Sequence, residues 1–194
     1  MESSWDQEDP FQHYSLMPIV SEFAKQRKIE TYHKVFTDAK SFKHWIETYN
    51  NLCKGGSLLY IAAHGYKASL CGLNCRINKQ TITNAIAKAR NIQFVHFGSC
   101  LFGNEENLKS ILKKATNLSW IAGYDKSVDW VDSSLFDIFL WSRITPHGRG
   151  SSDKNLKTHT IVKNIIELQV AGMVKELGFK FVYRYGKNIE SVHQ

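Results

Sequence analysis

Two apolar runs, each ended abruptly by glycine and a reactive side chain, constrain this chain more than any other feature. Residues 57–63 read SLLYIAA between Gly55-Gly56 and His64-Gly65, and residues 92–97 read IQFVHF before Gly98-Ser99-Cys100. Continuous apolar runs of this length, bounded by turn residues, are the mark of strands buried on both faces of a parallel sheet. The remaining chain supplies the crossovers. Helical spacing recurs over residues 14–28 (Leu16, Ile19, Val20 and Phe23), over 39–52 behind an Asp38 cap (Phe42, Trp45, Ile46 and Tyr49), over 80–90 and over 105–116. Strand signals fall at 29–36, 119–122 and 179–185, and residues 70–77 (LCGLNCRI) predict a hairpin. A helix capped by Ser133 or Ser134 is predicted to run to about Arg143, and another over 155–177. Strands separated by single helices predict an α/β fold, a three-layer αβα sandwich around a mainly parallel central sheet.

With 194 residues the expectation is a single domain over 1–194, with residues 146–153 (PHGRGSSD) as an internal loop. A chain that is 43% hydrophobic with 12 Gly and 3 Pro can bury an ordinary core and is neither fibrous nor disordered. No apolar run approaches the ~18 residues of a membrane span, and the first residues, MESSWDQEDP, lack the apolar stretch of a signal peptide. The expected location is therefore cytoplasmic, with no membrane partner. Cys53, Cys71, Cys75 and Cys100 then read as reduced thiols. The net charge of +7 arises from 25 Lys+Arg against 18 Asp+Glu, spread along helices without a basic run or a nucleic-acid motif. It reads as a solvated face, and no nucleic-acid partner is expected.

In open parallel sheets, reactive groups gather beyond the carboxyl ends of the strands. His64 and Cys100 both stand there. If their strands are neighbours, roughly 4.8 Å apart, the two side chains emerge at one edge within reach of one carbonyl carbon. A cysteine nucleophile needs a proton-handling group and donors for a developing oxyanion. His64 is suited to the first role, and the backbone N–H groups of Gly65 and Cys100 to the second, while Gly65 and Gly98 allow a substrate backbone close approach. A helix beginning near Asn104 would turn its positive end toward the same place. Taken alone, Cys100 reads as a small buried hydrophobe and His64 as a loop-fixing histidine. Their matched contexts favour a catalytic pair. Cys71 and Cys75 form a C-x3-C pair without a second pair, so no metal site is expected, and His96 reads as a core histidine. Trp45, Trp120, Trp130 and Trp141 fall on faces predicted to be buried.

The strand ending in His-Gly (LLYIAAHG), followed by one ending in a small residue and Cys (FVHFGSC), resembles the caspase-like cysteine peptidases. That group comprises caspases, metacaspases, gingipains, separases and CHAT proteins. The resemblance covers residues 29–143, and the branch it resembles most is the bacterial CHAT-type proteins. It implies a caspase-like fold, thiol protease activity as a cysteine endopeptidase, no cofactor, a protein or peptide substrate, and bacterial programmed proteolysis as context. It makes Cys100 the nucleophile, His64 the catalytic histidine, and the Gly65 and Cys100 amides the oxyanion hole. In separases and their relatives a carboxylate beyond the cysteine strand selects Arg or Lys at P1. Asp125, Asp129 and Asp132 are the candidates here, Asp129 first, with Trp130 as a pocket wall. Otherwise Asp132 caps the next helix and the other two are solvated. The sequence departs from the group in two places. Phe97-Gly98 stand before Ser99-Cys100 where caspases and metacaspases carry Gln or Asp, and the opening apolar strand is missing, shortened or reduced to residues 2–5. Regulation is expected from a separate chain or from autoprocessing. The alternative reading is a catalytically inactive interaction module of the same fold that binds a protein partner.

Overall fold

The computed structural model describes residues 1–3, 15–145 and 157–192. Its elements in order are α1 (Met17–Gln26), α2 (Ala39–Leu52), β1 (Ser57–Ala62), β2 (Gly65–Tyr66), β3 (Ser69–Cys71), β4 (Arg76–Asn78), α3 (Lys79–Lys88), β5 (Ile92–Gly98), α4 (Glu105–Lys114), β6 (Trp120–Tyr124), α5 (Trp130–Ile144), α6 (Thr158–Asn164), a π-helical turn (Ile165–Gln169), α7 (Ala171–Leu177), β7 (Phe179–Tyr185) and β8 (Asn188–Ser191). The central sheet has the order β1-β5-β6-β7-β8. β1, β5 and β6 run parallel; β7 is antiparallel to β6, and β8 to β7. The predicted hairpin is β3–β4, which with β2 makes a separate small antiparallel sheet. The predicted loop over 146–153 lies outside the described residues.

Alternation along the strands splits the core into two clusters, one on each face of the sheet. On one face Ile61, Val95, Phe97 and Ile121 pack with Phe42 and Ile46 of α2, Ile82 and Ile86 of α3, and Leu108 and Ile111 of α4. On the other, Trp120, Ala122, Phe179 and Phe181 pack with Phe136 and Leu140 of α5, Ile161 and Ile165, and Val174 of α7. Helices on both faces of a mainly parallel sheet are the predicted αβα arrangement. A fully buried aromatic such as Phe97 stabilises this core by about 2–3 kcal/mol. No helix among the described residues is long and apolar enough to cross a membrane.

Several expectations need correction. Residues 29–36 do not form a strand. The opening residues lie between them and β1, and only Glu2 pairs, in parallel bridges with Val35 and Ala62. Tyr32 and Val35 are exposed, and Phe36 alone of the stretch is buried in the core. α1 exists, but Ile19 is exposed and Leu16 and Ala24 are what it buries. α5 begins earlier than expected, because Asp129 rather than Ser133 or Ser134 caps it: Asp129 Oδ1 accepts N–H bonds from Val131 (2.8 Å) and Asp132 (3.1 Å). The helix expected over 155–177 is α6, the π-helical turn and α7 in succession. It stops where Gly178 adopts a left-handed φ of 64°.

Candidate active site

The register between β1 and β5 sets the site. Ala62 stands opposite Gly98 at the carboxyl ends of these neighbouring parallel strands. His64 lies two residues beyond the first and Cys100 two residues beyond the second, so the pair occupies matched positions on one edge. The two turns are packed together. A Cβ at Gly65 would overlap the Cys100 carbonyl oxygen and come within 3.2 Å of Ser99 Cβ. Only glycine fits there. Ser99 ties the same two strands by donating from its hydroxyl to the Ile61 carbonyl at 3.3 Å. The His64 carbonyl accepts the Cys71 N–H at 2.8 Å, which anchors the histidine turn to β3. His64 is exposed and Cys100 is half-buried.

The chain after Cys100 is held in an uncommon conformation. Leu101 has a φ of 62°, left-handed for a residue with a branched side chain, and the Phe102 N–H donates back to the Cys100 carbonyl at 2.6 Å. Neighbours fix this turn from several sides. Leu101 N–H donates to the Lys126 carbonyl (3.0 Å) and Gly103 N–H to the Tyr124 carbonyl (2.9 Å). The Asn104 side-chain amide donates to the Leu101 carbonyl (3.0 Å), and that of Asn107 to the Phe102 carbonyl (2.9 Å). Asn104 also caps α4, accepting the Asn107 N–H at 3.0 Å. Strain of this kind persists only where its surroundings impose it, and it concentrates at functional sites.

The stretch between β6 and α5 closes over the sulfur. Val128 donates its N–H to Cys100 Sγ at 3.4 Å, and its carbonyl lies 3.8 Å from the same atom. Of the three candidate acids, Asp129 is the immediate neighbour of this contact. Its Oδ1 is engaged as the α5 cap, and the residue is exposed. Asp125 Oδ2 is 3.2 Å from Lys180 Nζ and is thereby neutralised. Asp132 lies exposed in the first turn of α5, and Trp130, the first residue of that helix, is half-buried. His96 is fully buried, as its place within the strand implied; Trp45 and Trp130 are only half-buried, while Trp120 and Trp141 are buried. Cys71 and Cys75 flank the β3–β4 turn, and burial raises the Cys71 thiol above its usual range. Among the described residues no three His, Cys, Asp or Glu side chains are grouped so as to hold a metal ion.

Two features escaped the sequence. The Val128 contact is made by backbone, which carries no residue signature. The other is a buried polar cluster beneath the site: Tyr60, Tyr124 and His96 around Asp137. The signal for it is an acid inside the otherwise apolar stretch LFDIFLW of α5.

No protein-family model matches this chain, and no curated protein matches its sequence. Among solved structures it is similar to the X-ray structure of a secreted C11 cysteine protease from Bacteroides thetaiotaomicron in complex with an irreversible peptide inhibitor. The TM-score is 0.50 at 11% identity, over 94% of this chain and 64% of the protease. What the two have in common is architecture: this chain has the caspase-like αβα fold of that C11 protease.

Proposed function

We propose that the chain is a cysteine endopeptidase acting through Cys100 and His64. The observation that carries this reading is the Ala62–Gly98 register, which brings the two residues to matched positions on one sheet edge with their turns in contact. The chemistry follows from those side chains. The Cys100 sulfur attacks the peptide carbonyl carbon as its proton passes to His64. The oxygen takes up the negative charge facing the N–H groups of Gly65 and Cys100. The carbon–nitrogen bond then breaks, and His64 returns its proton to the departing amine. Water, deprotonated by His64, attacks the thioester, releases the acid and restores the thiol. No metal or organic cofactor takes part.

We further propose Arg or Lys at P1, held by Asp129. Its neighbour Val128 touches the nucleophile, and the cap leaves Oδ2 for a guanidinium. A reducing compartment such as the cytoplasm suits the unpaired nucleophile. Within the caspase-like group, the Gly-containing segment with acids after the cysteine strand (WIAGYDKSVDWVDS) favours a CHAT-type relative, while the fold neighbour is a C11 enzyme.

Cys100→Ala and His64→Ala, made separately, should each abolish cleavage of a peptide library. Full activity in either overturns the assignment. Iodoacetamide labelling distinguishes the alternative: an interaction module would show Cys100 reacting no faster than Cys53 at neutral pH.

A further inference from the structure

Asp137 sits in the middle of α5 and is 1% exposed, among side chains that are otherwise apolar. A carboxyl group buried so deeply persists only with partners of good geometry. It has three. Tyr60 Oη donates to Oδ2 at 2.8 Å, Tyr124 Oη donates to Oδ1, and His96 Nε2 lies 3.0 Å from Oδ1, off the line of a good hydrogen bond. Trp141 donates its indole N–H to His96 Nδ1 at 3.1 Å. An indole N–H only donates, so Nδ1 accepts and the ring proton rests on Nε2, facing Asp137. Burial, reinforced by the neighbouring carboxylate, raises both tyrosine hydroxyls well above their ordinary range, so they remain protonated donors.

The cluster draws its members from four elements around the candidate site: β1 (Tyr60), β5 (His96), β6 (Tyr124) and α5 (Asp137 and Trp141). It also touches the chain on both sides of Cys100. Two residues before the nucleophile, Gly98 leaves the space that Tyr60 Oη fills; a Cβ there would overlap the hydroxyl. Three residues after it, Gly103 donates its N–H to the Tyr124 carbonyl at 2.9 Å. Val128, which contacts the sulfur, lies on the segment joining Tyr124 to α5.

We infer that Tyr60 and Asp137 are positioning residues for Cys100: their hydrogen bond, with Tyr124 on the same carboxylate, locks the end of β5 against β1, β6 and α5 and so fixes the sulfur beside Val128. The inference takes Cys100 as the reactive residue, and so rests on the peptidase reading, but alkylation tests it without any peptidase assay.

The experiment uses Tyr60→Phe, which keeps the ring and removes the hydroxyl, and Asp137→Asn, in the full chain. Three quantities are compared with wild type: the iodoacetamide rate at Cys100 relative to Cys53, followed by peptide mass spectrometry; kcat and KM on an Arg-P1 peptide; and the thermal midpoint. Positioning predicts that Tyr60→Phe slows Cys100 alkylation by about tenfold and lowers kcat by about tenfold or more, with KM within about twofold. A merely structural role predicts a lower midpoint, with alkylation and kcat per folded molecule unchanged, and that result overturns the inference. If Asp137→Asn does not fold, Tyr60→Phe decides alone. If wild-type protein cleaves nothing, the peptidase reading fails while the alkylation ratio still decides positioning.

Discussion

The α-carbon of Gly65 lies against the carbonyl oxygen of Cys100, and this contact joins the histidine turn to the cysteine turn. The obstructing atom is backbone, which cannot swing aside as a side chain would. Gly65→Ala must therefore push the two turns apart. Displacement on the scale of an ångström costs about a hundredfold in rate. The variant should fold, with a modest fall in midpoint by circular dichroism, and lose peptidase activity by about that factor. Unchanged kcat would mean that the turns do not cooperate.

Leu101, directly after Cys100, carries a left-handed φ. A β-branched residue tolerates that region least and glycine best. Leu101→Val should therefore be less stable than Leu101→Gly by about 1–2 kcal/mol in urea unfolding, although glycine removes more side chain. The reverse order would show that Leu101 packing, rather than backbone strain, governs this turn.

Asp129 caps α5 and is proposed to select a basic P1 residue, and the two roles separate by substitution. Asparagine caps a helix about as well as aspartate but carries no charge. Asp129→Asn should leave the thermal midpoint within error of wild type and lower kcat/KM for Arg-P1 peptides by about tenfold or more. Asp129→Ala should in addition lose about 1 kcal/mol of stability. Cleavage after acidic or apolar residues, unaffected by either change, refutes the specificity assignment.

Tyr60 and Tyr124 give the protein an alkaline limit. Their folded-state pKa values lie well above 10, so the unfolded chain releases protons that the folded chain retains. The stability this represents is fully present below about pH 10 and is lost as pH rises from there toward the folded-state values, at up to about 1.4 kcal/mol per pH unit for each tyrosine. Urea titrations between pH 9 and 11 should show the decline, and Tyr60→Phe should reduce its slope by one proton's worth. An identical slope would show that Tyr60 ionises as freely folded as unfolded.

The placement of the candidate site was legible because the ends of its strands are punctuated locally. Strands β1 and β5 are apolar runs with abrupt ends, and the turn residues that end them include His64 and Cys100. What the sequence could not show depends on approach in three dimensions. Val128 reaches Cys100 through its backbone, so any residue at that position would look the same. The cap of α5 was misplaced because Asp129, Asp132, Ser133 and Ser134 are all competent caps, and only the path of the incoming chain selects the first. Residues 29–36 alternate like a strand, yet among the described residues their β-bridge is only to Glu2 of the short opening stretch, too little to form a ladder. The π-helical turn between α6 and α7 carries no glycine or proline to announce it.

The reversal of β7 has a consequence for the order in which the protein is made. Because β7 runs against β6, Gly178 and Lys180 arrive beside Asp125, at the edge that bears Cys100. Translation thus delivers Cys100 long before the residues that close its flank. Until α6, α7 and β7 emerge from the ribosome, the apolar face formed by Trp120, Ala122, Phe136 and Leu140 lacks its cover. A nascent chain that ends before α6 therefore carries the Cys100 turn on a sheet whose second face is still open.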